Sequence, residues 1–395
     1  MLRNVITPVF ESAIYGAIKG IFDKIIYGGT AAFNPTSLFT GGFTGGFYDN
    51  SDVSTLFTTS AGTTQVAADA NPTGLFLDKS KELALLPEKV VNGDFSSATG
   101  WPIGAGMAIS GGKLTYTAVV LGGGAGIYQL LDAPSIDSTY CEVTIVVDSL
   151  SGGTLAVNLS GLRGPTISTA GTYTQRFLAS AFGNFMRLEG DGTVTCQVDS
   201  ISVKQVAGNH LPQATAAARP LYDLTALLHS SEFDGIDDFL PSLQDGGGTV
   251  AFCFMACKKI TQVGVRQTLF SDAGTNAGYK VELNTSNQLV ISAGDGTSYT
   301  TATTANAFTL GQTVSIEAYD DGVNIGVRLN NGTLVTAARP NVSAGTAGFT
   351  IGKDNGAASG YFKGNMYGAI YNKNKANTLT ERANAITWLR TKGGV

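Results

Sequence analysis

The sequence is short of charge, of histidine and of cysteine. Charged residues make up 14% of its 395 positions, and the net charge at pH 7 is −5. No block of Lys and Arg occurs. A phosphate backbone would therefore find no electrostatic footprint, and nucleic acid is excluded as a partner. The two histidines, His210 and His229, and the four cysteines, Cys141, Cys196, Cys253 and Cys257, show no zinc-site spacing. Four cysteines in a chain of this length do not make a disulfide framework. Cys253 and Cys257 lie in VAFCFMACKK, which reads as one strand. Four residues along a strand span ~13 Å, too far for a bridge. Cys141 and Cys196 fall on alternating apolar positions and read as small buried thiols. No apolar run of about 18 residues occurs, so no membrane-spanning helix is expected. An uncharged signal-peptide core with a small-residue cleavage site is also missing. The chain reads as made in the cytoplasm and kept whole, with no cofactor and no metal.

What is abundant is glycine, 51 residues, alongside Ser, Thr and Ala. That mixture suits short strands joined by tight turns and predicts a mainly β protein. The exception is the N-terminus. Ile6, Phe10, Ile14, Ile18, Ile21 and Ile25 recur at helical spacing, with Thr7 and Pro8 at the start and Gly28-Gly29 at the end. This predicts an amphipathic helix over residues 1–29. Its apolar stripe needs a partner surface, so it is read as a docking or self-association helix.

From Leu38 to Ser80 the chain reads LFTGGFTGGFYDNSDVSTLF, then AGTTQV, then PTGLFLDKS. The halting motif DKS resumes only at GNHLPQATAAARP, residues 208–220, and is followed by FDGIDDFL, residues 233–240. Taken together, these pieces resemble a recurrent leader of tailed-phage and phage-like structural proteins, in which the run is continuous. Phe47 stands where that pattern usually has tryptophan. Between the halves, VVNGDFSSATGWP opens and VDSISVKQV closes a stretch rich in alternating strands. These bookends resemble carbohydrate-binding-module-like domains of the galactose-binding-like type. Leu114, Tyr116 and Ala118 share one expected face, as do Cys141, Val143, Ile145 and Val147. Turns are expected at Ser151-Gly152-Gly153 and at Gly190-Asp191-Gly192.

The C-terminal part alternates most plainly. Val314, Ile316 and Ala318 are expected inward, and so are Val323, Ile325, Val327 and Leu329, with Asp321-Gly322 and Asn331-Gly332 as hairpin turns. The tail, YFKGNMYGAIYNK then TLTER and a helix ending WLRTK, resembles the close of concanavalin A-like, laminin-G-like jelly rolls. Thr380 is the expected cap of that helix, with Ile386 and Leu389 docking it on the sheet. The expected plan is two jelly-roll β-sandwiches, an N-terminal amphipathic helix and a short C-terminal helix. Its parts are 1–29 (helix), 30–87 (leader and linker), 88–206 (inserted sandwich) and 207–395 (laminin-G-like jelly roll).

Catalytic patterns are thin. Glycosidases need a carboxylate pair at defined separation, one of them poised as an acid. The nearest cluster is Asp234, Asp237 and Asp238, which reads first as a turn and second as a calcium-side group. No nucleophile elbow or Ser/His/Asp set occurs. Sugar binding asks for less: exposed aromatics with a few polar partners. Candidates are Trp101, Tyr116, Tyr128 and Tyr173 in the insertion, and Tyr279, Tyr299 and Tyr361 in the last module. For Trp101 the competing reading is packing under the sandwich. The resemblance implies a non-enzymatic virion protein of fibre, spike or tail-tip type. Its expected partners are other virion proteins, host-surface polysaccharide and its own copies, as a trimer. A purely structural decoration or collar protein is the alternative, and a polysaccharide depolymerase the third reading.

Overall fold

In the strand Phe252–Ile260 hydrophobicity does not alternate, because both of its faces are covered. Phe252, Phe254 and Ala256 face one core, while Cys253, Met255 and Cys257 face another. The computed structural model describes residues 33–122, 125–224, 228–245, 252–345, 348–355 and 359–395. The helix expected over 1–29, with its Ile6-to-Ile25 stripe, lies outside the described residues.

Phe252–Ile260 belongs to an eight-stranded antiparallel sheet. The order is Leu221–Asp223, Ser230–Asp234, Lys363–Lys373, Phe252–Ile260, Thr313–Asp320, Asn324–Leu329 and Val335–Ala338. The eighth strand, Thr44–Asp49, lies end to end with Ser230–Asp234 along Lys363–Lys373: Thr44 pairs with Lys373, Asp49 with Gly368, and Ser231 with Met366. The leader thus supplies a strand to the C-terminal sandwich. A six-stranded sheet faces it, in the order Leu240–Asp245, Gly348–Ile351, Gln267–Ser271, Ala277–Leu283, Gln288–Asp295 and Tyr299–Ala307. Phe252, Phe254, Phe270, Tyr279, Phe349 and Tyr371 fill the space between. Val323, expected inward, is exposed in the turn between two strands.

The helix Leu379–Lys392 covers the outer side of the eight-stranded sheet through Ile386 and Leu389. Its cap is Thr378 and not Thr380. Thr378 Oγ1 accepts from Glu381 N at 3.2 Å, and Glu381 Oε2 accepts from Thr378 N at 2.8 Å. A capping box needs an acidic or amide residue three places on, which Thr378 has and Thr380, facing Ala383, does not. Trp388 meets Phe47 edge-on, ring centroids 5.0 Å apart.

Nine strands between Leu85 and Val206 form a second sandwich with its own core, built on Leu114, Tyr116, Ile145, Val157, Leu188 and Val203 among others. The turn expected at Gly190–Gly192 is absent. Those residues lie inside one 22-residue strand, Phe185–Val206. Its first part pairs with Gly126–Leu130 and Thr154–Leu159, and its remainder with Lys113–Leu121, Tyr140–Ser151 and Leu85–Glu88. Glycine serves a close approach here, since a Cβ on Gly190 would sit 1.9 Å from the Thr154 carbonyl oxygen. Ala118 also departs from expectation. A register shift opposite Val194 and Cys196 turns it outward at φ 49°, and Val119 takes the inward place.

The separated motif halves meet in space. Phe76 pairs with Leu211 and Leu75 with Pro212. Buried Asp78 accepts from Phe47 N (2.8 Å), Ser80 N (2.7 Å), Ser80 Oγ (2.7 Å) and Asn209 N (2.6 Å). His210 Nδ1 accepts from Asp78 N at 3.0 Å, so its Nε2–H points to Val206 O, 3.2 Å away. Burial pulls that imidazole down to about 4, which keeps it neutral and able to accept. A small cluster of Leu75, Leu77, Tyr140 and Val206 joins the two sandwiches.

We propose that residues 88–206 fold as a unit of their own. The two strands at its base already lie side by side, Leu85 against Val206, and Ala207 N donates to Ala84 O at 2.8 Å. Excising residues 85–206 and closing the gap with a short Gly/Ser linker is expected to leave a cooperatively folding chain. Its Tm should fall, because Leu75 and Leu77 lose the cover of Tyr140 and Val206. Calorimetry showing no cooperative transition would count against independence.

Candidate functional site

One sheet of the second sandwich has an outer face that is partly open to solvent. Gly126–Leu130, the first part of Phe185–Val206, Thr154–Leu159 and Leu162–Arg163 run side by side there. Alternation puts Ile127, Met186, Leu188, Leu155, Val157 and Leu159 in the core. The intervening residues must point outward. Register then aligns Tyr128, Arg187, Asn158 and Arg163 in one row across four strands. Leu130 pairs with Phe185 to one side of that row, and Gly126, Glu189 and Ala156 align on the other.

Tyr128 is 48% exposed. The Arg187 guanidinium lies over the Phe185 ring, 5.2 Å from its centroid. Glu189, in the next rank of the same face, is buried, with Arg163 Nε and Arg187 Nη1 each 3.9 Å from one of its oxygens. Neither approach is a hydrogen bond, and Glu189 Oε2 has no hydrogen-bond partner. Arg163 instead forks onto Asp191, donating at 3.2 and 2.5 Å. Those bonds hold the Asp191 carboxyl below its usual range. Asn158 Oδ1 accepts from Gly161 N at 2.8 Å, which directs its amide N–H groups elsewhere. At the end of the same strands Phe182, 77% exposed, stands beside Gly161.

The face therefore offers a phenol ring and guanidinium and amide donors, while Glu189 is shut off beside them. Rings that carry hydroxyls use both: an apolar face to stack on and donors for their oxygens. It does not offer acid catalysis at Asp191. A general acid needs a raised pKa, and Arg163 moves this one the other way.

Of the seven aromatic candidates, this face gathers Tyr128. Three are buried and present no ring to solvent. Trp101 packs on Phe95 at 5.2 Å and donates from Nε1 to Asn92 O at 3.0 Å. Tyr116 fills the core of the insertion, and burial pushes its hydroxyl pKa up. Tyr279 stacks on Phe252 at 4.5 Å and donates to Asp320 Oδ2 at 2.7 Å. Each is an inward position of its strand or loop, which removes it as a stacking platform. Tyr173 packs partly on the core of the insertion and donates to Thr169 O at 2.9 Å. Lys280 takes one face of Tyr299, 4.8 Å from its centroid, and Tyr361 sits in the other sandwich near Lys353. Arg187, Asn158, Glu189 and Arg163 were not among the candidates. They are polar residues on three different strands, and only register brings them into line with Tyr128.

Asp234, Asp237 and Asp238 do cluster, with a carboxylate oxygen of each within 4.8 Å of the others. They form a self-bonded turn. Asp234 Oδ1 accepts from Ile236 N at 2.7 Å, and Asp238 Oδ2 accepts from Asp234 N at 2.9 Å. Burial, with the neighbouring carboxylates adding to it, raises Asp238 to about 7. All four cysteines are free and buried. No helix among the described residues is long and apolar enough to cross a membrane.

No protein-family model matches the chain, and no curated protein sequence matches it. Solved structures resemble it faintly. Domains LG4-5 of the mouse laminin alpha1 chain align over 63% of this chain and 88% of that one, at 11% identity and TM-score 0.32. The binding domain of botulinum neurotoxin DC, solved in complex with SialylT, aligns over 44% of this chain and 47% of that one, at 11% identity and TM-score 0.32. A heptameric SAP-like pentraxin from Limulus polyphemus aligns over 39% and 78%, at 15% identity and TM-score 0.29. The chain spans about half the length of the neurotoxin chain. Likeness this slight says nothing of what the chain binds.

Proposed function

We propose that this is a non-enzymatic surface protein of a phage-like particle, a fibre, spike or tail-tip component that holds host-surface polysaccharide on the Tyr128 face. The observation that carries the reading is the row Tyr128, Arg187, Asn158 and Arg163, with the Tyr128 ring exposed beside the two guanidinium groups. The virion assignment draws support from the phage-type leader, whose halves converge on Asp78. Assembly as a trimer through residues 1–29 belongs to the same proposal. A single stacked ring adds only about 0.5–1.5 kcal/mol, so adhesion rests on several copies acting together, which raises avidity roughly 10²–10⁴-fold.

A second reading, a structural decoration protein, is favoured by the exposed Leu130 and Phe182 flanking the face, which also suit a protein contact. Glycan-array and cell-binding measurements separate the two. Tyr128→Ala is expected to weaken binding about two- to tenfold per site without changing the circular dichroism spectrum. Arg187→Gln, which removes the guanidinium aligned with Tyr128, should also weaken it. Wild-type binding by both variants would discard the face, and no binding by the intact assembly would favour decoration.

A further inference from the structure

We infer that a second site, for an uncharged polyhydroxylated ligand such as a hexose or disaccharide, lies in the cleft between the two sandwiches. The cleft measures about 500 Å³, within the roughly 300–1,000 Å³ span of small-molecule sites. One wall is the insertion, with Ser135, Thr139 and Tyr140. The other is the host sandwich and leader, with Thr44, Ser80 and Asn209.

The lining chemistry selects the ligand by exclusion. Lys81 is the lining residue with a full charge, and its Nζ already donates to Phe39 O at 3.0 Å and Phe43 O at 2.7 Å. An anion would compete with those carbonyls for one occupied ammonium. A cation would find no lining carboxylate, and nearby Asp78 is saturated by Phe47, Ser80 and Asn209. Buried His210 is neutral with both ring nitrogens engaged. The Gln205 and Asn209 amides and the Ser80 and Thr139 hydroxyls already donate within the protein, which leaves the hydroxyls of Thr44 on one wall and of Ser135 and Ser138 on the other, among short apolar stretches from Leu86, Leu178 and Pro134. Hydroxyls both donate and accept, so they match a ligand whose own groups do the same. Gln205 braces the insertion wall, donating to Ser135 O at 2.9 Å and Thr139 Oγ1 at 3.3 Å. A ligand touching both walls would also tie the sandwiches together beside the small apolar contact of Tyr140 and Val206.

The site is independent of the Tyr128 face, so the test uses the full chain with variants of each. Saturation-transfer difference NMR is run with D-glucose, D-galactose, L-rhamnose and N-acetyl-D-glucosamine, with glucuronate and glucosamine as charged counterparts. At least one uncharged sugar is expected to bind, more tightly than its charged counterpart. That binding should persist in Tyr128→Ala and weaken at least tenfold in both Thr44→Trp and Ser135→Trp, which fill the cleft from opposite walls. Unchanged thermal unfolding of the two Trp variants shows that they fold. The inference is overturned if none of these sugars binds, if the charged forms bind better, or if binding is lost with Tyr128→Ala and kept in the two Trp variants.

Discussion

Asp78→Ala is expected to destabilise the protein by about 4 kcal/mol or more, enough to unfold the junction between the sandwiches. The carboxylate is fully buried and receives Phe47 N, Ser80 N, Ser80 Oγ and Asn209 N. Alanine leaves all four donors without an acceptor. Each buried donor left unsatisfied costs about 1–3 kcal/mol, and the loss of a whole buried network is among the mechanisms behind the largest single-site effects. Asp78→Asn should be nearly as damaging. Its amide would turn an NH₂ toward two of the same donors, so a donor faces a donor. Urea titration followed by tryptophan fluorescence measures both. A cost below ~1 kcal/mol for the alanine variant would mean that water replaces the carboxylate and that the junction does not depend on it.

Lys258→Met is expected to act in the opposite direction. Lys258 is fully buried, and its ammonium has no hydrogen-bond partner. It lies over Phe362 at 4.3 Å and Phe233 at 5.5 Å, a modest compensation for lost hydration. Burial pulls its pKa down to about 7. The unfolded chain keeps the ordinary value near 10.4, so between about pH 7 and 10.4 the unfolded state binds the extra proton and stability rises with pH. Below pH 7 both states are charged and the penalty is constant, on the order of 3–5 kcal/mol. Methionine has similar volume, carries no charge and makes favourable sulfur contacts with aromatic rings. The gain over wild type should be full at pH 6 and shrink steadily toward pH 10. Denaturant midpoints at the two pH values are the measurement, and an equal gap at both would show that the charge is not the cause.

The sequence announces some of this and hides the rest for physical reasons. The inward positions of Cys141, Val143, Ile145 and Val147 are legible because that strand is buried on one face and alternates. Ile386 and Leu389 are legible because a helix must hide its apolar side. Lys258 is not, because it ends a run of apolar residues in a strand covered on both faces, where alternation carries no information. Gly190-Asp191-Gly192 has turn composition, yet its glycine serves a close approach to Thr154. For the candidate site, Tyr128 was legible as a candidate exposed aromatic between the two bookend motifs. Its companions were not, because a cross-strand row depends on register, which a bulge of the kind at Ala118 can shift by one residue and so reverse faces.

The side-by-side base of the insertion has a mechanical meaning. A pull on the insertion's outer end reaches the host through two adjacent legs, Leu85–Glu88 and the end of Phe185–Val206, rather than through one thread. The tension divides between the legs, and neither can be drawn out without breaking its ladder with the other. Beyond the legs the force enters the small sheet of Leu56–Phe57, Leu75–Phe76 and Leu211–Pro212, and so is handed to the host sandwich at two chain positions at once. A domain appended at a chain end has a single tether that peels one strand at a time. An inserted one is hung like a swing, and gives way only when both ropes do.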